Sequence, residues 1–283
     1  MNVTLGVSTW LWTSPFSSEA LDLFPKIKQM GYDVVEIPVE DPELIDTSLV
    51  KQSLQQHQLK AVICGAFGPT RDLTHQDKAV HENCFQYLEQ CFRISQELDS
   101  SFVAGPMYSA VGKTRQLPTV ERKREWDLAV NNLYKVCQMA GSFGQQIALE
   151  PLNRFESDLV NTAEDAVRMV NDINHPAAKI LLDSFHMSLE EKDLKYAIET
   201  AGADLIHVQV SENYRGIPGT GQTNWDAVKK GLAAINYQGV VSIESFTPEV
   251  KELAGAVCIW KKFASSQDQF ATEGFQFLQQ LFS

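Results

Sequence analysis

The sequence predicts an α/β protein, a single (β/α)8 TIM barrel over residues 1–283 with an extra C-terminal helix. Strand-like apolar runs at 3–9, 33–38, 60–66, 101–105, 146–150, 178–182, 204–210 and 239–245 alternate with helical patterns. Their spacing, roughly 35 residues, is the rhythm of βα units and hence of a parallel sheet. No linker rich in Pro, Gly or Ser, no low-complexity tract and no repeat beyond that rhythm divides the chain. At 283 residues it has the length of one such barrel.

The first run ends beside Trp10 and Trp12, which can wall a sugar site or simply pack a loop. The second carries Glu36 near its end, placed to meet substrate or to order water. After the third, Val80, Cys84, Cys91, Phe92, Ser95 and Leu98 recur at helical intervals, and after the fourth, Trp126, Val130, Leu133 and Cys137 do the same. Each segment is therefore a helix with one buried face. Asn161-Thr162-Ala163-Glu164 reads as an N-cap with an acidic first turn, and Pro176 stops that helix before the sixth strand. Beyond residue 250 there is room for the eighth helix and one more. Phe263, Phe270, Phe275, Phe277, Leu278 and Phe282 supply this tail with apolar surface for packing or for a subunit contact.

Hydrophobic residues at 44% and charged residues at 21% are ordinary globular values. A formal charge of -12 argues against nucleic acid, whose phosphates are met by clustered Lys and Arg. It leaves a neutral sugar or a cation open. No apolar run reaches the ~18 residues of a membrane span, and no basic start precedes an apolar stretch, so we expect no membrane association and a cytoplasmic location. The five cysteines, an odd number without a Cys-x-x-Cys pair, fit buried thiols in a reducing compartment.

Four strands end in an oxygen ligand: Ile147-Ala148-Leu149-Glu150, Ile180-Leu181-Leu182-Asp183, Ile206-His207-Val208-Gln209 and Val241-Ser242-Ile243-Glu244. Side chains alternate in direction along a strand. Glu150 thus shares a face with Ala148, Asp183 with Leu181, Gln209 with His207 and Glu244 with Ser242. Ile147, Leu149, Ile180, Leu182, Ile206, Val208, Val241 and Ile243 form the opposite, helix-facing set. Acids converging inside a barrel mouth repel one another and lose hydration unless a cation joins them. Three carboxylates and an amide suit one divalent ion. Such a site favours proton abstraction beside a carbonyl, because the cation stabilises an enediolate and a carboxylate acts as base. With Glu150 and Glu244 on opposite sides of a carbon, one takes a proton and the other returns it on the other face, which is epimerisation.

Ala148-Leu149-Glu150-Pro151-Leu152-Asn153-Arg154-Phe155-Glu156, Leu182-Asp183-Ser184-Phe185-His186-Met187 and Ser211-Glu212-Asn213-Tyr214-Arg215-Gly216 resemble the ketose 3-epimerases. These are the D-tagatose and D-psicose 3-epimerase group of the xylose-isomerase-like barrels. Gly105-Pro106-Met107-Tyr108-Ser109 and Ile243-Glu244-Ser245-Phe246 agree, so the resemblance covers nearly the whole barrel. It implies inversion at C3 of free ketoses, such as D-fructose/D-psicose or D-tagatose/D-sorbose. It further implies Glu150, Asp183 and Glu244 as metal ligands, with Glu150 and Glu244 also the acid/base pair. Glu156, His186 and Arg215 become hydrogen-bond partners of the sugar. Manganese is the implied ion, with cobalt or magnesium as substitutes, and a homodimer or homotetramer the implied assembly.

The chain departs from this pattern at Gln209, where the 3-epimerases have histidine. Both are neutral ligands, but an amide oxygen is the harder and weaker donor. Glutamine there resembles the hydroxypyruvate isomerase branch, which makes an aldose-ketose or hydroxypyruvate-type isomerase the alternative reaction. A non-enzymatic sugar-binding protein is the alternative of another class. Val111-Gly112 stands where many 3-epimerases carry a bulky aromatic, which predicts a differently shaped pocket. Plainer readings are His207 as a buried core histidine, His186 as a helix cap, Arg215 as a partner of Glu212 and Glu156 as a partner of Arg154. Gly216-Ile217-Pro218-Gly219-Thr220-Gly221, without a lysine, reads as a tight turn rather than a phosphate loop.

Overall fold

The computed structural model describes residues 1–283. Eight parallel strands close into a barrel in sequence order. They are β1 (Thr4–Ser8), β2 (Val34–Val39), β3 (Lys60–Gly65), β4 (Phe102–Gly105), β5 (Gln146–Leu149), β6 (Ala178–Asp183), β7 (Leu205–Val210) and β8 (Val240–Ile243). Each predicted run is met to within two residues at either end. β1 pairs with β8 to close the ring, Leu5 opposite Val241 and Val7 opposite Ile243.

The helices are α1 (Leu23–Met30), α2 (Thr47–Gln56), α3 (Lys78–Glu97), α4 (Thr119–Ser142), α5 (Ala163–Ile173), α6 (Ser184–Glu190), α7 (Leu194–Ala201), α8 (Trp225–Ala234), α9 (Lys251–Ala256) and α10 (Gln267–Phe282). Side-chain caps start many of them, Asp46 for α2, Asp77 for α3 and Asp193 for α7, and each such cap contributes about 1 kcal/mol. At α5, Thr162 and Asp165 form a full capping box. That helix stops at Asn174, held in the left-handed region at φ 50, so Asn174 and not Pro176 ends it. On α3 the expected Val80 is only half-buried, and His81 takes the buried face instead. No helix is long and apolar enough to cross a membrane.

Alternation along the strands sorts the apolar side chains into two layers. Ile147, Leu149, Ile180, Leu182, Val208, Val241 and Ile243 lie in the large cluster between strands and helices. Val34, Val62, Cys64, Phe102, Ala104, Ala148 and Leu181 form a small cluster inside the barrel. Ile206 corrects the helix-facing set: it is half-buried near the start of β7 and packs against the inner cluster. Full burial of each large aliphatic side chain contributes about 1.5–3 kcal/mol.

The phenylalanine-rich tail is spent within the chain. α10 covers the seam where β1 and β8 meet, between α1 and α8. Phe275 meets the ring of Tyr32 at 5.0 Å, and Phe277 meets Trp225 at 5.3 Å. At the opposite end of the barrel, a Cβ on Gly65 would lie 2.7 Å from the Phe67 ring. Only glycine lets that ring settle over the end of β3, where it lines the mouth.

Candidate active site

Glu150 directly follows β5, Asp183 ends β6, Gln209 is the penultimate residue of β7 and Glu244 directly follows β8. Glu150, Glu156, His186, Arg215 and Glu244 line one cavity of about 200 Å³ at the barrel mouth. That is small beside the ~300–1,000 Å³ of drug-sized ligand sites. Asp183 and Gln209 are fully buried and bond to residues that line it. The strand-end quartet therefore converges, as alternation along the strands requires.

Arg215 organises the charges. Its Nη1 donates to Asp183 Oδ2 at 2.5 Å and to Glu244 Oε2 at 2.8 Å, and its guanidinium lies 4.1 Å from the centre of the Phe185 ring. The residue occupies the left-handed region at φ 63, at a cost of about 1–3 kcal/mol. Its N–H donates to the Glu212 carbonyl at 2.8 Å. The expected pairing with the Glu212 carboxylate does not form, because that group accepts from Trp225 Nε1, Gly219 N and Thr223 N. Glu212 thereby clamps the 216–221 loop as a turn. Glu156 likewise pairs with Asn153 Nδ2 at 2.8 Å, while Arg154 goes to Glu190 at 2.9 Å.

Burial pushes the carboxyls of Glu150 and Glu244 well above the usual carboxylate range, and neighbouring acids push in the same direction. Burial also raises Asp183, against the pull of Arg215. Water is withheld from these carboxylates and the one guanidinium among them offsets a single charge. With Glu36 and Glu156 beside these three acids and Arg215 the one cation among them, the site holds an excess of acids over cations that a divalent ion would reduce.

Glu150, Asp183 and His186 have donor atoms within 4.8 Å of one another, a spacing that can hold a metal ion. His186, however, sits inside α6 with Nδ1 facing the Asn153 backbone N–H at 3.0 Å. A backbone N–H can only donate, so Nδ1 accepts there, while Arg215 Nη2, also only a donor, faces Nε2 at 3.2 Å, and the two compete for the single lone pair of a neutral ring. Burial and the Arg215 charge hold the ring neutral, well below the usual histidine range. His186 thus has Nδ1 engaged by Asn153 and Nε2 by Arg215 at 3.2 Å, with Glu150 Oε1 farther off at 3.5 Å, and offers no free lone pair to a metal.

Gln209 supplies what His186 does not. Its Nε2 donates to Glu36 Oε1 at 2.8 Å and to Glu244 Oε1 at 2.9 Å. With both amide protons committed to carboxylates, Oε1 is left buried and accepts from no protein group. An orphaned amide oxygen beside three carboxylates is a donor set that fits a hard or borderline divalent ion. Glu36, fully buried, is held from the far side by His207 Nε2 at 2.6 Å. His207 is accordingly a bonded core histidine, and Glu36 holds the Gln209 amide in place. Asn153, which orients both Glu156 and His186, was visible only as a member of the Glu150-Pro151-Leu152-Asn153 segment and carried no signal of that role.

Of the two tryptophans after β1, Trp10 lines the cavity and packs 5.5 Å from Phe246, whereas Trp12 turns its Nε1 to Asp268 at 2.7 Å. Val111 lines the cavity as expected. α9 and the turn after it add Leu253, Ala256 and Val257, a wall the sequence did not disclose.

The pattern of the xylose isomerase-like TIM barrel family matches residues 24–280. The chain belongs to this family. Within it, the chain is 30% identical to a probable ketose 3-epimerase of Synechocystis sp., over 99% of this chain and 97% of that one. It is 29% identical to an L-ribulose 3-epimerase of Methylomonas sp., over 88% and 87% of the two chains. The crystal structure of a D-allulose 3-epimerase from Methylomonas sp. with D-allulose superposes with a TM-score of 0.92 at 27% identity, covering 99% of this chain and 97% of that one.

Proposed function

We propose that this protein is a metal-dependent 3-epimerase of free ketoses, interconverting pairs such as D-fructose and D-psicose or D-tagatose and D-sorbose. Glu150, Asp183, Gln209 and Glu244 hold the ion, and manganese is the expected one, with cobalt or magnesium as substitutes. One observation carries the reading: Glu150 and Glu244, from the non-adjacent strands β5 and β8, line one small cavity, Glu244 held by Arg215 and Gln209 while the Glu150 carboxyl has no hydrogen-bond partner in the chain. The resemblance to ketose 3-epimerases over the full chain supports it.

The bound ion would polarise the ketose carbonyl and steady negative charge on its oxygen. Glu150 and Glu244 are the acid/base pair: one takes the C3 proton and the other delivers a proton to the opposite face. Arg215 offers donors to substrate oxygens, and His186 beside it is a further polar contact. Glu156, steadied by Asn153, accepts from a hydroxyl. Phe67, Phe246 and Leu253 keep water from the reacting carbon.

A cytoplasmic location belongs to the reading and is supported by five free cysteines, of which Cys64, Cys84, Cys91 and Cys137 are buried as expected whereas Cys258 is exposed. So does a homodimer or homotetramer. With the tail phenylalanines packed against the core, Val120, Trp260 and Phe155, 80%, 73% and 72% exposed, are the most exposed large apolar side chains open to such a contact. Incubation with a panel of ketoses in D₂O, with manganese or with chelator, tests the reaction. Metal-dependent deuterium at C3 is expected; deuterium at C1 or C2 instead would make the protein an isomerase.

A further inference from the structure

We propose that Glu40 and Trp10 form a polar subsite for the far end of the ketose chain, which selects substrates carrying a terminal hydroxyl, O6 of a hexulose. The proposal rests on the ketose reading above and adds to it the part of the sugar that is recognised away from the reacting carbon.

The ionisable side chains that line the cavity come from two places. Glu150, Glu156, His186, Arg215 and Glu244 follow β5 to β8, whereas Glu40 stands alone just beyond β2. In the closed eight-strand order β2 lies across the barrel from β6. The lining near Glu40 in sequence and fold is otherwise apolar, with Trp10, Ala66, Phe67 and Val111. A carboxylate among such side chains is costly unless both oxygens are hydrogen-bonded.

Only one of them is. Ser14 Oγ donates to Glu40 Oε1 at 2.6 Å, while Oε2 is buried and has no protein donor. Trp10 shows the complementary deficit, because its Nε1 is buried and reaches no protein acceptor. Two residues that line the cavity thus each keep one buried polar atom, an acceptor on Glu40 and a donor on Trp10, that no protein group meets. A hydroxyl both donates and accepts, so the polyol end of a sugar satisfies the pair where a methyl group or an anion does not. A terminal phosphate would meet the Glu40 carboxylate, with repulsion instead of a hydrogen bond.

The subsite is rigidly placed. Arg71 Nη2 donates to the Glu40 carbonyl at 2.9 Å and Nη1 to the Ala66 carbonyl at 3.0 Å, with the guanidinium 3.6 Å from the Tyr87 ring centre. Trp10 is fixed against Phe246. Groups held this way can discriminate, because an analogue lacking the hydroxyl leaves them unpaired.

The test compares D-fructose, 6-deoxy-D-fructose and D-fructose 6-phosphate on the metal-loaded protein, by kcat/KM for C3 inversion and by thermal shift at equal sugar concentration. The wild type is expected to favour D-fructose over the 6-deoxy sugar by about tenfold or more, through KM, and to be protected least by the phosphate. Glu40→Leu and Trp10→Phe should each shrink that preference, Glu40→Leu to near one, and Glu40→Gln covers the case in which the leucine variant does not fold. A wild-type preference near one, a preference unchanged in the folded Glu40 variants, or stronger protection by the phosphate would overturn the subsite. If the wild type inverts neither sugar, the 3-epimerase reading falls. The thermal shifts then decide the subsite alone, since D-fructose must protect more than its 6-deoxy analogue and the Glu40 variants must erase the difference.

Discussion

The loops that follow β5 to β8 turn Glu150, Arg215 and Glu244 into the cavity, where Arg215 ties Glu244 to the buried Asp183. Those that follow β3 and β4 are just as charged, yet their ion pairs lie outside it. Lys113 Nζ donates to Asp72 at 2.8 Å and to Thr74 at 2.6 Å, and Arg115 pairs with Glu125 at 2.7 Å and with Asp158 at 2.9 Å. What this second half shows the substrate is Phe67, Pro106 and Val111. One half of the mouth crowds like charges for chemistry and needs a cation. The loops after β3 and β4 pair opposite charges to hold themselves, and leave an apolar face that sets shape beside Glu40 and Trp10.

The sharpest way to break this division is to remove a proton carrier. Glu244→Gln or Glu150→Gln should lower deuterium exchange at C3 by about 10²- to 10⁴-fold, measured by NMR at saturating manganese. A comparable loss from Val111→Ala would show that the halves do not divide the work as described.

Next in size, Arg215→Met leaves buried carboxylates without their guanidinium. The metal-free variant should lose about 3–5 kcal/mol of stability in urea titrations. Added manganese should recover a large part of that loss, because both cations answer the same charge. Equal losses with and without the ion would mean that Arg215 acts by packing alone.

A smaller effect follows from Glu36→Gln. The Gln209 amide then faces a partner that can donate as well as accept, and its oxygen is no longer forced free. Metal affinity by calorimetry should fall about 10- to 100-fold, with exchange restored at saturating ion. Unchanged affinity would remove Gln209 Oε1 from the ligand set.

The smallest effect is expected in the shape-setting half. Burial pushes the Asp72 carboxyl up, but hydrogen bonds from Lys113 and Thr74 outweigh it and hold the group below its ordinary 3.8. A depressed acid contributes stability above its unfolded-state value and loses it as pH falls through the folded one. Asp72→Asn should therefore cost about 1–2 kcal/mol near neutral pH, and the gap to wild type should close as pH falls below 3.8. A gap that widens on acidification would reverse the assignment.

How far each feature could be seen in the sequence depended on how local its cause is. A strand ending in Glu150 or Glu244 declares itself through a few alternating residues, and the N-cap of α5 through four. Glu36 was visible as a strand acid but its role of holding Gln209 was not, because its partners His207 and Gln209 lie 171 and 173 residues away. Arg215 looked like a partner of Glu212, its neighbour along the chain, until the barrel closed and brought Asp183 and Glu244 within reach. The tail phenylalanines were equally suited to a subunit contact or to internal packing, and only the position of α10 over the β1–β8 seam chose between them.

The sequence by itself determined the eight-strand rhythm, the inward set of strand-end oxygens and the three loop segments that resemble ketose 3-epimerases. These follow from side-chain alternation and periodicity, which act over a few residues at a time. Only the tertiary structure decided that Gln209 turns its nitrogen to Glu36 and Glu244 and leaves its oxygen unbonded. It also decided that His186 lies between Asn153 and Arg215, and that Glu40 and Trp10, both lining the cavity, keep one unmet acceptor and one unmet donor. Each of these is a matter of which hydrogen bonds remain unmade once the chain has closed on itself, and that count exists only in three dimensions.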